Sequence, residues 1–203
     1  MPKLVIVGAR AMGRETCAYA HEAGFYVKGF LDEKANALDG FVGYPPILGS
    51  VEEYEVTEDD LFAVALGEPK YKHKYVEMVA AKGGKFVSVV HPAAYIGKNV
   101  KIGVGCIVCP NCTITNDTVL GDHVIVNINV SINHDNRIGD YSTICPGCHL
   151  AGRVRIGSGV FIGTSASLVP DVSLGDEVYV AAGAIVVDSF KSGKLMGVPA
   201  RPK

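Results

Sequence analysis

The sequence predicts a small α/β domain followed by a parallel β-helix, and three observations support this prediction. In the first half, short apolar runs alternate with segments of helical periodicity, which is typical of a parallel sheet covered by helices. In the second half, an aliphatic residue recurs at every sixth position, which is the repeat of a parallel β-helix. Glycine supplies 24 of the 203 residues, which indicates many tight turns.

The first half contains four predicted strands and two predicted helices. Apolar runs place the strands at residues 3–7, 26–31, 61–66 and 86–90, and helical spacing places the helices at residues 11–23 and 70–81. Gly24 ends the first helix, and Gly83 with Gly84 ends the second, because glycine readily adopts the left-handed conformation that follows a helix. The segment GFVGYPPILGS is predicted to be a loop because it is rich in glycine and proline.

An unbroken repeat of six residues runs through the second half. Every sixth residue from Ile96 to Val186 is Ile, Leu or Val, which makes sixteen consecutive matches. The residue four positions further on is small or β-branched in nearly every hexad, and Asn136 and Phe190 are the exceptions. Three hexads form one triangular coil, whose interior these two positions fill. The repeat therefore predicts about five stacked coils around a continuous core.

Composition and charge exclude several classes of function. The formal net charge is −2 without a block of like charges, so the chain has no electrostatic footprint for nucleic acid. No segment has the run of about 18 apolar residues that a membrane helix needs. The N-terminal apolar run Leu4–Val7 is too short for a signal peptide. We therefore expect a cytoplasmic protein without membrane insertion, whose six cysteines are reduced thiols.

The cysteines are compatible with a metal site or with packing. Cys106, Cys109 and Cys112 have the spacing of a metal or cluster motif, as do Cys145 and Cys148. However, Cys106, Cys112 and Cys148 occupy the small interior position of their hexads, where cysteine behaves as a small hydrophobic residue. Cys109 and Cys145 follow the aliphatic residue, where glycine or alanine is usual. We therefore interpret the cysteines as packing residues and expect no metal.

Three histidines of the repeat raise the question of a zinc site. One class of β-helix proteins, a zinc carbonic anhydrase, needs three histidines that converge on one metal. His123, His134 and His149 fall at three different hexad positions on three sides of the coil. Their spacing does not bring them together within one chain. Convergence across a subunit interface is the alternative that the sequence leaves open.

His134 is the third residue of its hexad, so its side chain is predicted to point away from the core. Asn116 and Gly152, one coil before and after, should lie below and above it, and Gly152 is expected to leave open space beside the imidazole. Asp135 is placed to accept a hydrogen bond from one ring nitrogen, which would raise the basicity of the other. On the sequence alone, this histidine is either a general base or part of a solvated polar turn.

A glycine-containing segment joins the first strand to the first helix. Gly8 and Gly13 bracket it, but the central glycine of the dinucleotide-binding fingerprint is missing. A helix N-terminus after such a turn can still bind phosphate. Asp32 and Glu33, at the end of the second strand, are candidates to contact a ribose or a base. The segment is therefore compatible with binding of a nucleotide diphosphate.

Several short motifs carry a family resemblance: IVGA, FLDE and ALGE in the first half, HPAAYIG at the junction, INHDNRIGD in the repeat and GVPAR near the end. Together, over the whole chain, they resemble the bacterial sugar acetyltransferases of the PglD/NeuD-like family. The resemblance implies a Rossmann-like nucleotide-sugar-binding domain at residues 1–91, a left-handed β-helix acetyltransferase domain at residues 92–190 and a C-terminal tail at residues 191–203.

The resemblance also implies roles for individual residues. His134 would be the general base, tuned by Asp135, and Asn127 matches an asparagine of the family's site. The other implied contacts form two sets, Gly8, Ala9, Arg10, Asp32, Glu33 and Gly67 for the nucleotide sugar, and Thr143, Gly152, Gly163, Thr164 and Ala182 for acetyl-CoA.

The implied activity is acetyl-CoA-dependent N-acetylation of a UDP- or GDP-linked amino sugar for bacterial surface glycan or glycoprotein biosynthesis. The implied assembly is a homotrimer with active sites between subunits, and no metal is implied. The chain departs from the family where Ala11 and Met12 replace a common Gly-His pair, and where Thr143 replaces a histidine that meets CoA in some relatives. The alternatives are O-acetylation of a sialic acid or another hydroxyl substrate, a non-enzymatic trimeric binding protein and a metal-dependent hydratase.

Overall fold

The N-terminal domain is a parallel sheet with one helix on each face. A computed structural model describes residues 3–203 of the chain. The five strands of the sheet lie in the order β3-β2-β1-β4-β5. Their bounds, with those of the two helices, are β1 Lys3–Val7, α1 Ala11–Glu22, β2 Tyr26–Leu31, β3 Ile47–Gly49, β4 Asp60–Val64, α2 Pro69–Ala81 and β5 Lys85–Phe86.

Alternation of side chains along β1 explains why helices cover both faces of this sheet. Successive residues of a strand point to opposite faces. Leu4 and Ile6 are buried in the apolar cluster that contains Cys17 of α1. Val5 is buried in a second cluster, with Val79 of α2. The first of these clusters continues into the core of the β-helix, so α1 lies between the sheet and the β-helix.

Two short segments differ from the sequence prediction. The predicted loop GFVGYPPILGS contains the edge strand β3, whose Ile47 pairs with Phe30. The strand predicted at residues 86–90 is two strands in two different sheets. Phe86 closes the N-terminal sheet, whereas Val89–Val90 forms β6 and pairs with Ile107–Val108 of the β-helix. The chain thus passes from one architecture to the other within residues 86–90.

The second half is a β-helix of three flat faces, as the period of six predicted. From β6 to β22, each strand pairs in parallel with its neighbours 18 residues before or after it. At the C-terminal end, β23 pairs in parallel with β21 at a spacing of 15 residues, and β24 pairs antiparallel with β23. The first face contains β6 Val89–Val90, β9 Ile107–Val108, β12 Ile125–Val126, β15 Thr143–Ile144, β18 Phe161–Ile162, β21 Tyr179–Val180, β23 Lys194–Met196 and β24 Arg201–Pro202. The second face contains β7 Tyr95–Ile96, β10 Thr113–Ile114, β13 Ser131–Ile132, β16 His149–Leu150, β19 Ser167–Leu168 and β22 Ile185–Val186. The third face contains β8 Lys101–Ile102, β11 Val119–Leu120, β14 Arg137–Ile138, β17 Arg155–Ile156 and β20 Ser173–Leu174.

The small interior position of the hexad also forms hydrogen bonds between coils. Cys106 Sγ donates to the carbonyl of Gly121 at 3.1 Å, and Thr118 Oγ1 donates to that of Asn133 at 2.9 Å. Ser142 Oγ likewise donates to the carbonyl of Gly157. In all three cases the acceptor lies 15 residues after the donor. These bonds satisfy turn carbonyls that would otherwise face an apolar interior. Small donors at this position therefore stabilise the stack.

The interpretation of the cysteines as packing residues is confirmed. All six thiols are free, and five of them are buried. Burial raises the pKa of Cys106 to about 11 and that of Cys148 to about 11, so both are neutral thiols near pH 7. Cys145 is half-buried, and burial raises its pKa to about 11 as well. These cysteines are core residues with weak donor capacity.

A buried lysine joins the two domains. Lys72 of α2 is 1% exposed, and its Nζ donates to Thr143 Oγ1 at 2.8 Å and to the carbonyl of Ser142 at 3.1 Å. Burial lowers the pKa of Lys72 to about 7. A second link joins Glu22 of α1 to His91, which follows β6. The Glu22 carboxylate lies 2.9 Å from His91 Nε2. Within residues 3–203 no helix is long and apolar enough to cross a membrane.

Candidate active site

His134 and Asp135 lie in the turn between the second and third faces, after β13 and before β14. Their side chains are about half exposed, and His134 Nδ1 is 2.7 Å from Asp135 Oδ2. Because an ionised carboxylate only accepts hydrogen bonds, Nδ1 carries the proton and Nε2 keeps a free lone pair. The predicted outward direction of His134 and its pairing with Asp135 are confirmed. In the neutral form of the imidazole, this arrangement leaves Nε2 as the unprotonated nitrogen.

Gly152 lies directly against the His134 ring. A Cβ atom on Gly152 would be 2.6 Å from Cε1 and 2.7 Å from Nε2 of His134. The expectation that Gly152 leaves open space beside the imidazole was wrong, because the ring itself fills that space. The absence of a side chain at Gly152 therefore determines the position of the ring.

Arginines surround this turn on its third-face side. Arg155 donates from Nη1 to the carbonyl of Asp135, and it lies beside Arg137 in the strand register. Arg153 forms a two-bonded ion pair with Asp171, at 2.7 and 2.9 Å. These arginines were not predicted from the sequence as site residues. The spacing of 18 residues from Asp135 to Arg153 and on to Asp171 is the signal that could have identified the stacked charges.

A cavity of about 490 Å³ opens at the carboxyl ends of β1, β2 and β4. In a parallel sheet, ligands bind at this edge where the strand order reverses, which here is beside β1. The structure brings the six predicted nucleotide-sugar residues together there. Gly8, Arg10, Asp32, Glu33 and Gly67 line the cavity, and the N–H of the buried Ala9 donates to Asp32 Oδ2 at 2.9 Å.

The local backbone geometry explains why glycine occurs at two positions of this edge. Gly8 has a φ of +96°, and a Cβ there would lie 2.9 Å from Leu66 Cδ2. A Cβ on Gly13 would lie 1.8 Å from the carbonyl oxygen of Gly8, so α1 approaches β1 more closely than any side chain permits. Arg10, the N-cap of α1, makes no side-chain capping bond, so the N–H groups of the first turn stay available to an anion at the cavity.

Two tyrosines of α2 complete the cavity and were missed by the sequence analysis. Tyr71 and Tyr75 line the cavity, and Tyr75 Oη donates to Glu33 Oε1 at 3.1 Å. Both tyrosines lie on one side of α2, four residues apart. A helix face that carries aromatic residues resembles an ordinary core face, so periodicity alone did not mark them as binding residues.

The residues predicted to contact acetyl-CoA lie on different parts of the coil. Gly163, Thr164 and Ala182 share the corner between the first and second faces, where a Cβ on Gly163 would lie 2.5 Å from the Ala182 nitrogen. Gly152 lies on the next corner, beside His134. Thr143 is on the first face, 1% exposed, and its hydroxyl accepts a hydrogen bond from Lys72.

Asn127 lies on the corner of Gly163 and Thr164, after β12, and not on the corner of His134. Its carbonyl accepts a bond from Cys112 Sγ at 2.9 Å. The structure therefore distributes the predicted site residues over four places in one chain. These are the cavity of the N-terminal domain, the His134 corner, the Asn127 corner and the buried position of Thr143 beside Lys72.

The other two histidines of the repeat, His123 and His149, contact residues away from His134. The imidazole of His123 is buried and stacks on the ring of Tyr141, with centroids 5.3 Å apart. His149 Nδ1 is 2.8 Å from Ser131 Oγ on the second face. In the described part of the chain, residues 3–203, no three His, Cys, Asp or Glu side chains form a group that could hold a metal ion.

Comparison with protein families and solved structures follows the two-domain division. Residues 3–79 match the family described as PglD N-terminal domain, and residues 153–188 match the family described as bacterial transferase hexapeptide (six repeats). A comparison with curated protein sequences gives no significant match.

Solved structures resemble the chain over its full length. The acetyltransferase domain of PglB from Neisseria gonorrhoeae FA1090 is 31% identical with a TM-score of 0.92, and the match covers 100% of both chains. The same domain in complex with acetyl coenzyme A is 30% identical with a TM-score of 0.92, covering 100% of this chain and 99% of that one. A histidine-to-asparagine mutant of perosamine N-acetyltransferase from Caulobacter crescentus, in complex with CoA and GDP-perosamine, is 26% identical with a TM-score of 0.91, covering 99% and 96%.

Proposed function

The chain belongs to the family of acetyltransferases that join a PglD N-terminal domain to hexapeptide repeats, and from this premise we propose that it acetylates the amine of a nucleotide-linked amino sugar. The acetyl donor is acetyl-CoA, the ligand of the N. gonorrhoeae relative. The C. crescentus relative, crystallised with GDP-perosamine, supports a sugar linked to a nucleoside diphosphate as the acceptor. We propose UDP- or GDP-linked amino sugars of bacterial surface glycans or glycoproteins as the substrate class.

The nucleotide binds in the cavity at the edge of the N-terminal sheet. The free N–H groups of the first turn of α1 and the side chain of Arg10 attract the diphosphate. The carboxylates of Asp32 and Glu33 accept hydrogen bonds from the ribose or the base. Tyr71 offers an aromatic face to the base or sugar. The cavity thus supplies a donor set for phosphate and an acceptor set for hydroxyls.

The reaction is a direct transfer with His134 as general base. The amine lone pair attacks the thioester carbonyl carbon and forms the C–N bond, while Nε2 of His134 takes the ammonium proton. Asp135 holds Nδ1 and stabilises the imidazolium that forms. The C–S bond then breaks, and the CoA thiolate leaves and recovers the proton. A backbone N–H or the amide of Asn127 stabilises the oxyanion.

The complete site is formed between copies of the chain in a homotrimer. In one chain, the acetyl-CoA residues Gly163, Thr164 and Ala182 lie on a different corner from His134, so a second copy must bring the two kinds of corner together. The second face supports this assembly because its outward strand positions carry no residue with a fixed charge. These positions are Tyr95, Thr113, Ser131, His149, Ser167 and Ile185. The third face, by contrast, carries Lys101, Arg137 and Arg155 at the same positions.

The observation that carries this proposal is the Nδ1–Asp135 bond, which leaves Nε2 of His134 as a free base. His134→Ala should lower kcat by roughly 10²- to 10⁴-fold, the usual contribution of a general base. Titration calorimetry with UDP- and GDP-linked amino sugars should show unchanged binding, because the nucleotide cavity is intact. His21→Ala, which removes an exposed histidine of α1, is the control and should keep wild-type turnover.

Three outcomes would contradict the proposal. Turnover of His134→Ala equal to wild type would exclude the base role. Acetyl transfer to hydroxyl sugars but not to amino sugars, in a panel assay with acetyl-CoA, would identify an O-acetyltransferase instead. Absence of acetyl-CoA binding in a thermal-shift assay would leave only a binding role for the chain.

A further inference from the structure

Asn136 interrupts the pattern of interior residues directly after the His134 turn. Its side chain is 0% exposed and lies inside the coil, at the position that Thr118 occupies one coil before and Val154 one coil after. An amide in an apolar interior must find hydrogen-bond partners, because an unpaired buried polar group costs about 1–3 kcal/mol. The partners of Asn136 therefore indicate what this residue does.

The amide nitrogen of Asn136 holds two successive coils at once. Nδ2 donates to the carbonyl of Ala151 at 2.8 Å, which is the link of 15 residues that other interior side chains make. It also donates to the carbonyl of Asn133 at 2.7 Å, with a longer contact of 3.4 Å to that of His134. In the described part of the chain, no other interior side chain bonds back to the turn of its own coil in this way. A hydroxyl or thiol has one hydrogen and makes one such bond, whereas an amide has two.

The Asn133–His134 peptide is consequently held from several directions. The carbonyl group of this peptide, which belongs to Asn133, also accepts the 2.9 Å hydrogen bond from Thr118 of the coil below. The carbonyl of His134 accepts from the N–H of Arg153 at 2.9 Å. Together with the Asn136 amide, these bonds fix the backbone from which the His134 side chain departs.

We propose that Asn136 is a positioning residue that sets the imidazole of His134 from inside the β-helix, an inference that rests on the base role proposed for His134. Asn136 is fully buried and touches no substrate. Its Oδ1 has no hydrogen-bond partner among the described residues, which is a cost to stability that a valine would avoid. A general base needs its reacting nitrogen within hydrogen-bond reach of the amine, and a displacement of about 1 Å is sufficient to lower the rate about 10²-fold.

Asn136→Val tests this role because valine fills the same interior position at residues 124, 130 and 154. We expect kcat to fall at least 10-fold, while KM for acetyl-CoA and for the nucleotide sugar stays within two-fold. The ¹⁵N spectrum of the His134 ring should change from one tautomer, protonated on Nδ1, to a mixture. Asn136→Thr restores the link to Ala151 alone, as Thr118 does one coil below, and should remain as slow as Asn136→Val.

Ser142→Val is the matched control, because it removes the same link of 15 residues, to Gly157, at a turn without a histidine. It should lose stability while kcat stays within two-fold of wild type. Wild-type kcat in Asn136→Val or in Asn136→Thr would overturn the proposal, and so would an equal loss of kcat in Ser142→Val. The ring spectrum needs no turnover, so an enzyme that acetylates none of the tested sugars would refute the proposed function and still test the position of His134.

Discussion

A methyl group on residue 152 would compete with the His134 ring for the same space. The added Cβ of Gly152→Ala would lie 2.6 Å from Cε1, closer than real Cβ contacts, so the exposed ring must move. We expect a loss of kcat of about 10-fold or more, since the base leaves its position. Steady-state kinetics and the ¹⁵N spectrum of the ring measure the two effects.

Gly159→Ala is the control for this change. It adds a methyl group to a turn between the third and first faces, away from the His134 and Asn127 corners, where the new Cβ would meet only Glu177 Cγ, at 3.6 Å. Gly159 has a φ of +65°, so this control loses about 1 kcal/mol of stability, and the Gly152 variant should be the more stable of the two and the less active. Equal activity of the two variants would show that Gly152 does not position His134.

The sequence predicted some of the contacts around His134 and missed others. The direction of His134 and its pairing with Asp135 follow from the hexad register and from adjacency in the chain, so both were predictable. The roles of Gly152 and Asn136 depend on the distance between coils, across which their side chains meet His134 and its turn. A repeat gives the register of such neighbours, but not whether a ring or an open space lies between them.

At the scale of single elements, Lys72 makes the docking of α2 on the β-helix depend on pH. Burial lowers its pKa to about 7, while the unfolded chain keeps a value near 10.5. Between these values the unfolded state binds more protons, so the free energy of unfolding rises with pH, by at most about 1.4 kcal/mol per pH unit. Below about pH 7 both states are protonated and the penalty is constant and largest.

Lys72→Met should therefore gain stability relative to wild type, most at pH 7 and progressively less towards pH 10. The lost bonds to Thr143 and Ser142 lower the stability of the variant by an amount that does not vary with pH. Urea unfolding of both proteins at several pH values measures the difference. Lys74→Met, which changes an exposed lysine of the same helix, should show no such trend. A difference independent of pH for Lys72→Met would contradict the burial of its amine.

Elements with a long periodic signal were predicted well, and short ones were not. α1, α2, β1 and β2 lie within about two residues of their predicted bounds, because each presents a full apolar face to a neighbour. β3 has three residues beside prolines and glycines, so its pattern is too short to distinguish from a loop. The run at residues 86–90 is apolar except at Ser88, because its two strands face two different cores.

At the scale of the whole molecule, the fold distributes the residues of one proposed site over several separate places. The period of six predicted the β-helix, and the alternation of strands and helices predicted the first domain, because both depend on contacts within one chain. Residues that act together between copies leave no such periodic signal. The sequence feature that indicates an interface is the absence of fixed charge on the second face. Substitutions on this face therefore test the assembly.

Ser167→Arg places a charge on the uncharged second face, whereas Ser173→Arg places the same charge on the third face. Both serines hold the first position of a two-residue strand, six residues apart, so the variants differ mainly in the face that they change. If copies pack through the second face, Ser167→Arg must desolvate a guanidinium without a partner, which costs several kcal/mol and separates the copies.

Light scattering should then show a trimer for wild type and Ser173→Arg and a monomer for Ser167→Arg. Acetyl transfer should fall with the trimer, because His134 loses the acetyl-CoA corner of its neighbour, while nucleotide-sugar binding to the intact cavity should persist. A monomeric wild type, or a fully active monomeric Ser167→Arg, would refute a site shared between copies.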